Sequence, residues 1–373
     1  MSDPATTTPT PRWRELLREW PLVLSYLSLA VVLTIGRDWF AAPITPSLVW
    51  PLFGWLFVVI LLAAFAVVHH AECLAVKLGE PYGTLILTLS VIGLEVLMIA
   101  TVMLTKDENP DMARDTMYGV LMIVLNALLG LALVVGALRH KTQLFNLKSS
   151  EAYIGGIILL AGLGLVLPAF VPAKSVILFE IFLAIMSLLV YGVFLWIQTV
   201  EHRGFFEYRH ADGREEDHAH ADSGFGVAYH SVLLVLTLVP VVVLAKQLSV
   251  VLDTGLGTIG APDAFIGLVV AILILAPEGL AAVVAARHNN LQRAINICLG
   301  SALATIGLTI PTVLLVGLLA GQTVNLGLVP ADVVLLVLTL LLLMINLVRG
   351  ETNIMKGILH LVLFAGYVVF VFI

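Results

Sequence analysis

From Tyr82 to Thr105 the chain runs for twenty-four residues with a single charge, the carboxylate of Glu95 near the middle. About 20 apolar residues are what a helix needs to cross a bilayer. An acid at that depth costs roughly 2.5–3.5 kcal/mol on insertion scales, so its presence calls for a cation, a proton or a partner. Phe265 to Ala286 repeats the arrangement, with Glu278 at the matching depth of a second run. Two acids on two related helices read as the paired walls of one cation site.

The rest of the chain agrees with a membrane protein. Hydrophobic residues make up 60% and charged residues 12%, with a mean hydropathy of +1.06, against about 25% charged in a soluble domain. The 373 residues leave space for about a dozen spans and no sizeable soluble domain. No small-residue cleavage site follows the first apolar run, so that run is expected to stay in the chain. A formal charge of -6 offers no footprint for nucleic acid. Cys73 and Cys298 have no CxxC partner and read as bystanders.

Eleven apolar runs are expected to span, beginning near Leu22, Leu52, Thr84, Tyr118, Tyr153, Val176, Val227, Ala264, Ile295, Val333 and Ile354. Arg12, Arg14 and Arg18 precede the first, which predicts a cytoplasmic N-terminus. Eleven crossings then put fourteen of the nineteen Lys and Arg residues inside and five outside, the bias by which loop charge sets orientation. The C-terminus is expected outside.

A repeat runs through these spans. Glu95 aligns with Glu278 at a shift of 183 residues, and beyond the next loop a shift of 179 pairs Arg114 with Arg293, Gln143 with Gln322 and Asn146 with Asn325. Apolar helices share leucines by chance, but a Gln-x-x-Asn pair at one constant shift points to duplication. Each copy has five spans, an odd number, so the second must be inverted. The expected fold class is an all-α polytopic membrane protein with about eleven transmembrane helices, one N-terminal helix plus two inverted five-helix repeats. Its divisions are residues 1–51 (tail and first helix), 52–200 (first repeat), 201–226 (linker) and 227–373 (second repeat). Such folds bind the ion at the midplane, on helices interrupted by Gly or Pro. Gly93 lies two residues before Glu95, and Pro277 directly precedes Glu278. A proline there frees the carbonyl of Leu273.

The helices after each acid supply further oxygens: Asn126 in one, and Ser301, Thr305 and Thr309 in the other. The last three share one helical face, and Asn126 falls on Thr305 under the 179 shift. Such hydroxyls in membrane helices often bond only to their own backbone. As ligands, an oxygen-only set favours hard cations such as Ca²⁺ over Zn²⁺, and Glu95 and Glu278 together balance one divalent ion. Without the ion, burial and mutual repulsion favour the protonated acids. Protons and cation therefore compete, and halves that rock only when both acids are neutralised would exchange one for the other.

Ala276-Pro-Glu278-Gly-Leu-Ala-Ala-Val-Val-Ala-Ala-Arg-His-Asn-Asn290, with Gly300-Ser-Ala-Leu-Ala-Thr305-Ile-Gly-Leu-Thr-Ile-Pro311, resembles the second α-repeat of the cation/proton exchangers in the calcium/cation antiporter superfamily, within it the bacterial ChaA-type branch. Ala113 to Asn126 and the acidic linker resemble the same family. The resemblance implies an eleven-span secondary antiporter of the inner membrane, not an enzyme and without a cofactor. Its partners would be the bilayer, protons and Ca²⁺, Na⁺ or K⁺, with Glu95 and Glu278 binding cation or protons in turn. Where the family reads Gly-Asn-Ala-x-Glu, this chain has Ile92 and Leu275. Two neutral ligands are thus missing, which leaves Na⁺ or K⁺ exchange open beside Ca²⁺.

Glu201 to Asp222 holds seven acids, four histidines and three arginines. It reads as a solvated linker or as a regulatory cation or proton sensor through Glu215, Glu216, Asp217, His218 and His220. His69, His70 and Glu72 close the second span and suit either an interfacial role or a proton relay. Two rival functions remain at this point: a cation channel of the same architecture, which would move no protons, and a zinc or other divalent metal exporter using the His-rich loop. No HExxH occurs to suggest an intramembrane metalloenzyme.

Overall fold

A computed structural model describes residues 17–40, 44–79, 82–103, 110–206, 225–259 and 264–372. Among the described residues, eleven helical segments of fourteen residues or more follow one another: α1 Trp20–Leu33, α2 Pro46–Leu78, α3 Tyr82–Met103, α4 Met112–His140, α5 Leu147–Phe170, α6 Ala173–Glu201, α7 Val227–Ile259, α8 Ala264–Arg287, α9 Leu291–Ala320, α10 Pro330–Leu347 and α11 Ile354–Val371. Among the described residues, nine are long and apolar enough to cross a membrane; in α3 the described apolar stretch is Leu89–Thr101. The fourteen residues of α1 reach only about 21 Å. At 33 residues each, α2 and α7 reach about 50 Å and project beyond a ~30 Å hydrocarbon layer.

Local sequence sets many of the boundaries. Asn146, Asn290 and Asn353 each accept a hydrogen bond from a backbone N–H of the first turn of α5, α9 and α11, satisfying a donor that the helix leaves free. Pro46 and Pro330 open α2 and α10, where a missing N–H is no loss. Gly79 and Gly321 close α2 and α9 at φ +65 and +68, left-handed conformations that glycine adopts without strain.

Contacts between distant segments agree with successive helices running in opposite directions. One face gathers the α4–α5 link, the α8–α9 turn and the α10–α11 link, where β1 (Gln143–Leu144) pairs antiparallel with β2 (Glu351–Thr352). The opposite face gathers the start of α4, the end of α5 and the α9–α10 link, through Asn325 N–H to Pro110 O and Leu328 N–H to Leu165 O. The two five-helix repeats are therefore inverted with respect to each other.

Buried apolar side chains form two bodies. One joins α2 and α7, with Leu94 and Met98 of α3 and Val270, Leu273 and Ile274 of α8. The other fills the space among α4, α5, α6 and α8 to α11, and also takes in Ile92 and Ile99 of α3. So α3 and α8, the glutamate helices, lie between the two.

Candidate cation and proton site

Glu95 and Glu278 are drawn together by α9. Thr305 donates its hydroxyl to Glu95 Oε2 at 2.8 Å and, one turn earlier, Ser301 donates to Glu278 Oε2 at 2.7 Å. One face of one helix thus holds an acid from each repeat. Their two anchors, Ser301 and Thr305, are four residues apart on α9. Glu95 is only 2% exposed, and among the described residues neither its Oε1 nor Thr309 Oγ1, one turn beyond Thr305, has a hydrogen-bond partner. Such buried polar atoms are costly and demand a proton or a ligand.

Exposure differs across the site. Glu95, Thr305 and Thr309 are sealed, whereas Glu278 and Ser301 are half-buried. Ser301 lies nearer than Thr305 to the start of α9, so the exposed half is the one closer to the Gln143 face. Ile92 and Leu275, three residues before the acids, are buried at 5% and 1% exposure and bring no oxygen from their side chains. Among the described residues no group of three or more His, Cys, Asp or Glu side chains is arranged to hold a metal ion. The donor set is two carboxylates plus hydroxyls, suited to a hard cation passing through.

A π-helical turn interrupts both helices that follow the glutamate helices, at Ile123–Leu128 in α4 and Thr305–Thr309 in α9. Such turns occur often at functional sites. In α9 the turn carries Thr305. In α4 it carries Asn126, which departs from the sequence expectation. Its Nδ2 donates to Thr339 Oγ1 at 2.9 Å and its Oδ1 lies 3.2 Å from His360 Nδ1. The amide is thus spent on α10 and α11, and makes no hydrogen bond to either glutamate. Sequence reading passed over Thr339 and His360; their only signal was a polar residue inside an apolar span.

The remaining expected residues lie elsewhere. His70 Nδ1 is 3.1 Å from His230 Nδ1 on α7, and His70 Nε2 is 3.2 Å from Glu19 Oε2 before α1. Tyr229 donates to Glu19 Oε1 at 3.0 Å. His69 Nε2 lies 3.8 Å from Cys73 Sγ, and Glu72 is one residue before Cys73 in the last turns of α2. These side chains tie α1, α2 and α7 together at the Gln143 face, away from the paired acids. Burial raises the Glu19 carboxyl, but the close approach of the His70 imidazole and the hydrogen bond from Tyr229 outweigh it and hold the group below its usual range. Glu215, Glu216, Asp217, His218 and His220 lie outside the described residues.

Comparison with known proteins places the chain in a family. A family model described as sodium/calcium exchanger protein matches residues 48–200 and 229–373. The sodium-potassium/proton antiporter ChaA of Escherichia coli (strain K12) is 41% identical over 316 residues, covering 84% of this chain and 86% of that one. Among solved structures, native YfkE matches with a TM-score of 0.72 at 19% identity, over 94% of this chain and 99% of that chain. The H⁺/Ca²⁺ exchanger CAX matches with a TM-score of 0.68 at 13% identity, over 94% and 88%. With most of both five-helix repeats matched by the model and both acids on the helices that face each other across them, the chain belongs to the sodium/calcium exchanger protein family.

Proposed function

We propose that the protein is a secondary antiporter that exchanges a cation for protons, with Glu95 and Glu278 as the shared binding groups. The observation that carries this reading is the pair of acids held by Thr305 and Ser301 on one face of α9, with Glu95 Oε1 and Thr309 Oγ1 buried and, among the described residues, without a hydrogen-bond partner. Two carboxylates in a low-dielectric setting cannot both stay charged alone. One Ca²⁺ neutralises both, and so do two protons. A single Na⁺ or K⁺ neutralises one while the other keeps its proton. Only neutralised forms can be sealed off from water at low cost, so passage of the site between faces is restricted to loaded states and exchange is obligatory.

Ca²⁺ is the cargo that two acids balance best. The buried Ile92 and Leu275 favour a second reading in which Na⁺ or K⁺ is carried as well, because a divalent ion loses two neutral oxygens there. The relative named sodium-potassium/proton antiporter supports that reading. The metal ion is substrate in either case, and no resident cofactor enters the scheme. Thr309 joins Thr305 and Ser301 in the binding set.

The Lys and Arg bias supports an inner-membrane protein with its N-terminus and the Gln143 face toward the cytoplasm and its C-terminus outside. The half-burial of Glu278 and Ser301 then corresponds to a site reached from the cytoplasm. Residues 52–200 and 227–373 form the two repeats, joined by the acidic linker 201–226.

Proton release reported by a dye in acidified inverted vesicles tests the reading, with Ca²⁺, Na⁺, K⁺ and Zn²⁺ added in turn. Wild type is expected to respond to Ca²⁺, and Glu95→Gln and Glu278→Gln to none of the ions at near-normal expression. Current without proton movement would instead indicate a channel, and a response to Zn²⁺ alone would indicate a metal exporter.

A further inference from the structure

The duplicated Gln-x-x-Asn motif lies outside the cation site, yet each copy reaches across to the other repeat. Gln143 Nε2, in the α4–α5 link, donates to Ala286 O at 2.9 Å and to Asn289 Oδ1 at 3.0 Å. On the opposite face Gln322 Nε2, in the α9–α10 link, donates to Met103 O at 3.4 Å. These are the same contact made twice. The 179-residue shift relates Gln143 to Gln322, and the 183-residue shift that relates Glu95 to Glu278 also relates Met103 to Ala286.

Met103 is the last described residue of α3, and Ala286 is the penultimate residue of α8; near a helix end, carbonyls lack intrahelical partners. Both lie eight residues beyond the acid of their helix, about 12 Å along the axis. Each glutamine therefore sets the height of a glutamate helix belonging to the other repeat. The asparagines add a second tie. The Asn146 N–H donates to Gln292 Oε1 at 2.6 Å, while Asn325 donates through its N–H to Pro110 O at 2.9 Å and through Nδ2 to Asp111 Oδ1 at 2.8 Å. Both ends are tied in one and the same structure. The Gln143 tie is made although Glu278 and Ser301, on its side of the site, are only half-buried, so it is not what seals the acids.

We infer that Gln143 and Gln322 are positioning residues, a pair of standing clamps that keep Glu95 and Glu278 in register and stay closed throughout exchange. The inference rests on those acids being the exchange site. The clamp at Gln143 is the stronger, because its side chain is 2% exposed and makes two shorter bonds. Gly136 packs directly on it: a Cβ there would run into Gln143 Oε1.

The test uses the full chain in proteoliposomes, with Ca²⁺, Na⁺ and K⁺ as probes. Gln143→Leu is expected to raise the KM of the exchanged cation roughly three- to ten-fold, the effect of losing about one hydrogen bond, with kcat within about two-fold of wild type. Gln322→Leu should act in the same direction and less strongly. Gly136→Ala, which displaces the Gln143 side chain without altering the motif, should reproduce the KM effect. In a second arm, His140→Cys and Arg287→Cys, beside the Gln143 clamp, are bridged by a short bis-maleimide, with single-cysteine chains as controls. Bridged protein should exchange at close to the unbridged rate. Loss of exchange on bridging, or a wild-type KM in both Gln143→Leu and Gly136→Ala, overturns the clamp. If Glu95→Gln or Glu278→Gln still exchanges in the same vesicles, it is the assignment of the acids that fails, whatever the clamps do.

Discussion

Thr305 and Ser301 make the same kind of bond to the two acids, but their surroundings differ. Thr305 and Glu95 are sealed, so removing the hydroxyl leaves Oε2 with no replacement; Ser301 and Glu278 are half-buried, which leaves room for another group to take the place of the hydroxyl. A hydrogen bond to a charged group contributes about 1.5–3 kcal/mol. Thr305→Val is therefore expected to weaken the apparent cation affinity about ten-fold or more, and Ser301→Ala about two- to three-fold, as read from proton release against cation concentration. Equal effects would contradict the asymmetry. At this scale the two acids, Ser301 and Thr305 were legible in the sequence because an ionisable group within an apolar run has few explanations, and because a one-turn spacing defines a face. The orientation of Asn126 was not legible. An amide on a π turn can face either neighbour, and His360 and Thr339, over two hundred residues further on, decide which.

Helices need close approach to hold such side chains in place, and α4 and α11 achieve it at a pair of glycines. A Cβ on Gly357 would meet Gly130 O and Val134 N at 2.8 Å, and one on Gly130 would meet Gly357 O at 3.0 Å. Backbone atoms cannot step aside as a side chain can, so small residues are required at the crossing. Gly357→Ala is expected to lower stability by about 1–3 kcal/mol, in the range of overpacking, seen as a lower melting temperature in detergent. Gly155→Ala in α5, with nothing within 4 Å of the added carbon, should match wild type. His360 is three residues from Gly357 on the same helix, so the same substitution should also disturb the Asn126 contact and shift cation KM. Element number and order could be read from hydropathy, since runs of about 20 apolar residues have one common outcome in a bilayer. The π turns could not, because a one-residue change in hydrogen-bond spacing leaves the apolar pattern almost unaltered.

Over the whole molecule, α1 joins α2 and α7 through Glu19, His70 and Tyr229. Glu19 sits below its usual carboxylate value of 4.5. For a depressed acid the stabilisation is present above the unfolded value and is lost as pH falls through the lower folded value. Wild type should therefore be more stable than Glu19→Gln near neutral pH, and the difference should shrink once pH drops below about 4.5, as measured by thermal unfolding in detergent at a series of pH values. The group is partly exposed, so the difference will be small. His69, His70 and Glu72 lie in the last turns of α2, where His70 meets His230 of α7 and Glu19 before α1.

From the chain alone came the membrane class, the number and order of the helical segments, the inversion of the repeats and the two acids within apolar runs, because each follows from one-dimensional quantities: run length, a constant shift, an odd number of segments per repeat. Tertiary structure alone decided which oxygens the acids meet, where Asn126 points, and that each Gln-x-x-Asn copy seizes the end of the other repeat's glutamate helix. Those outcomes depend on how helices far apart in sequence rotate and slide against one another. The apolar pattern that places them in a bilayer leaves rotation and height to packing and to buried hydrogen bonds.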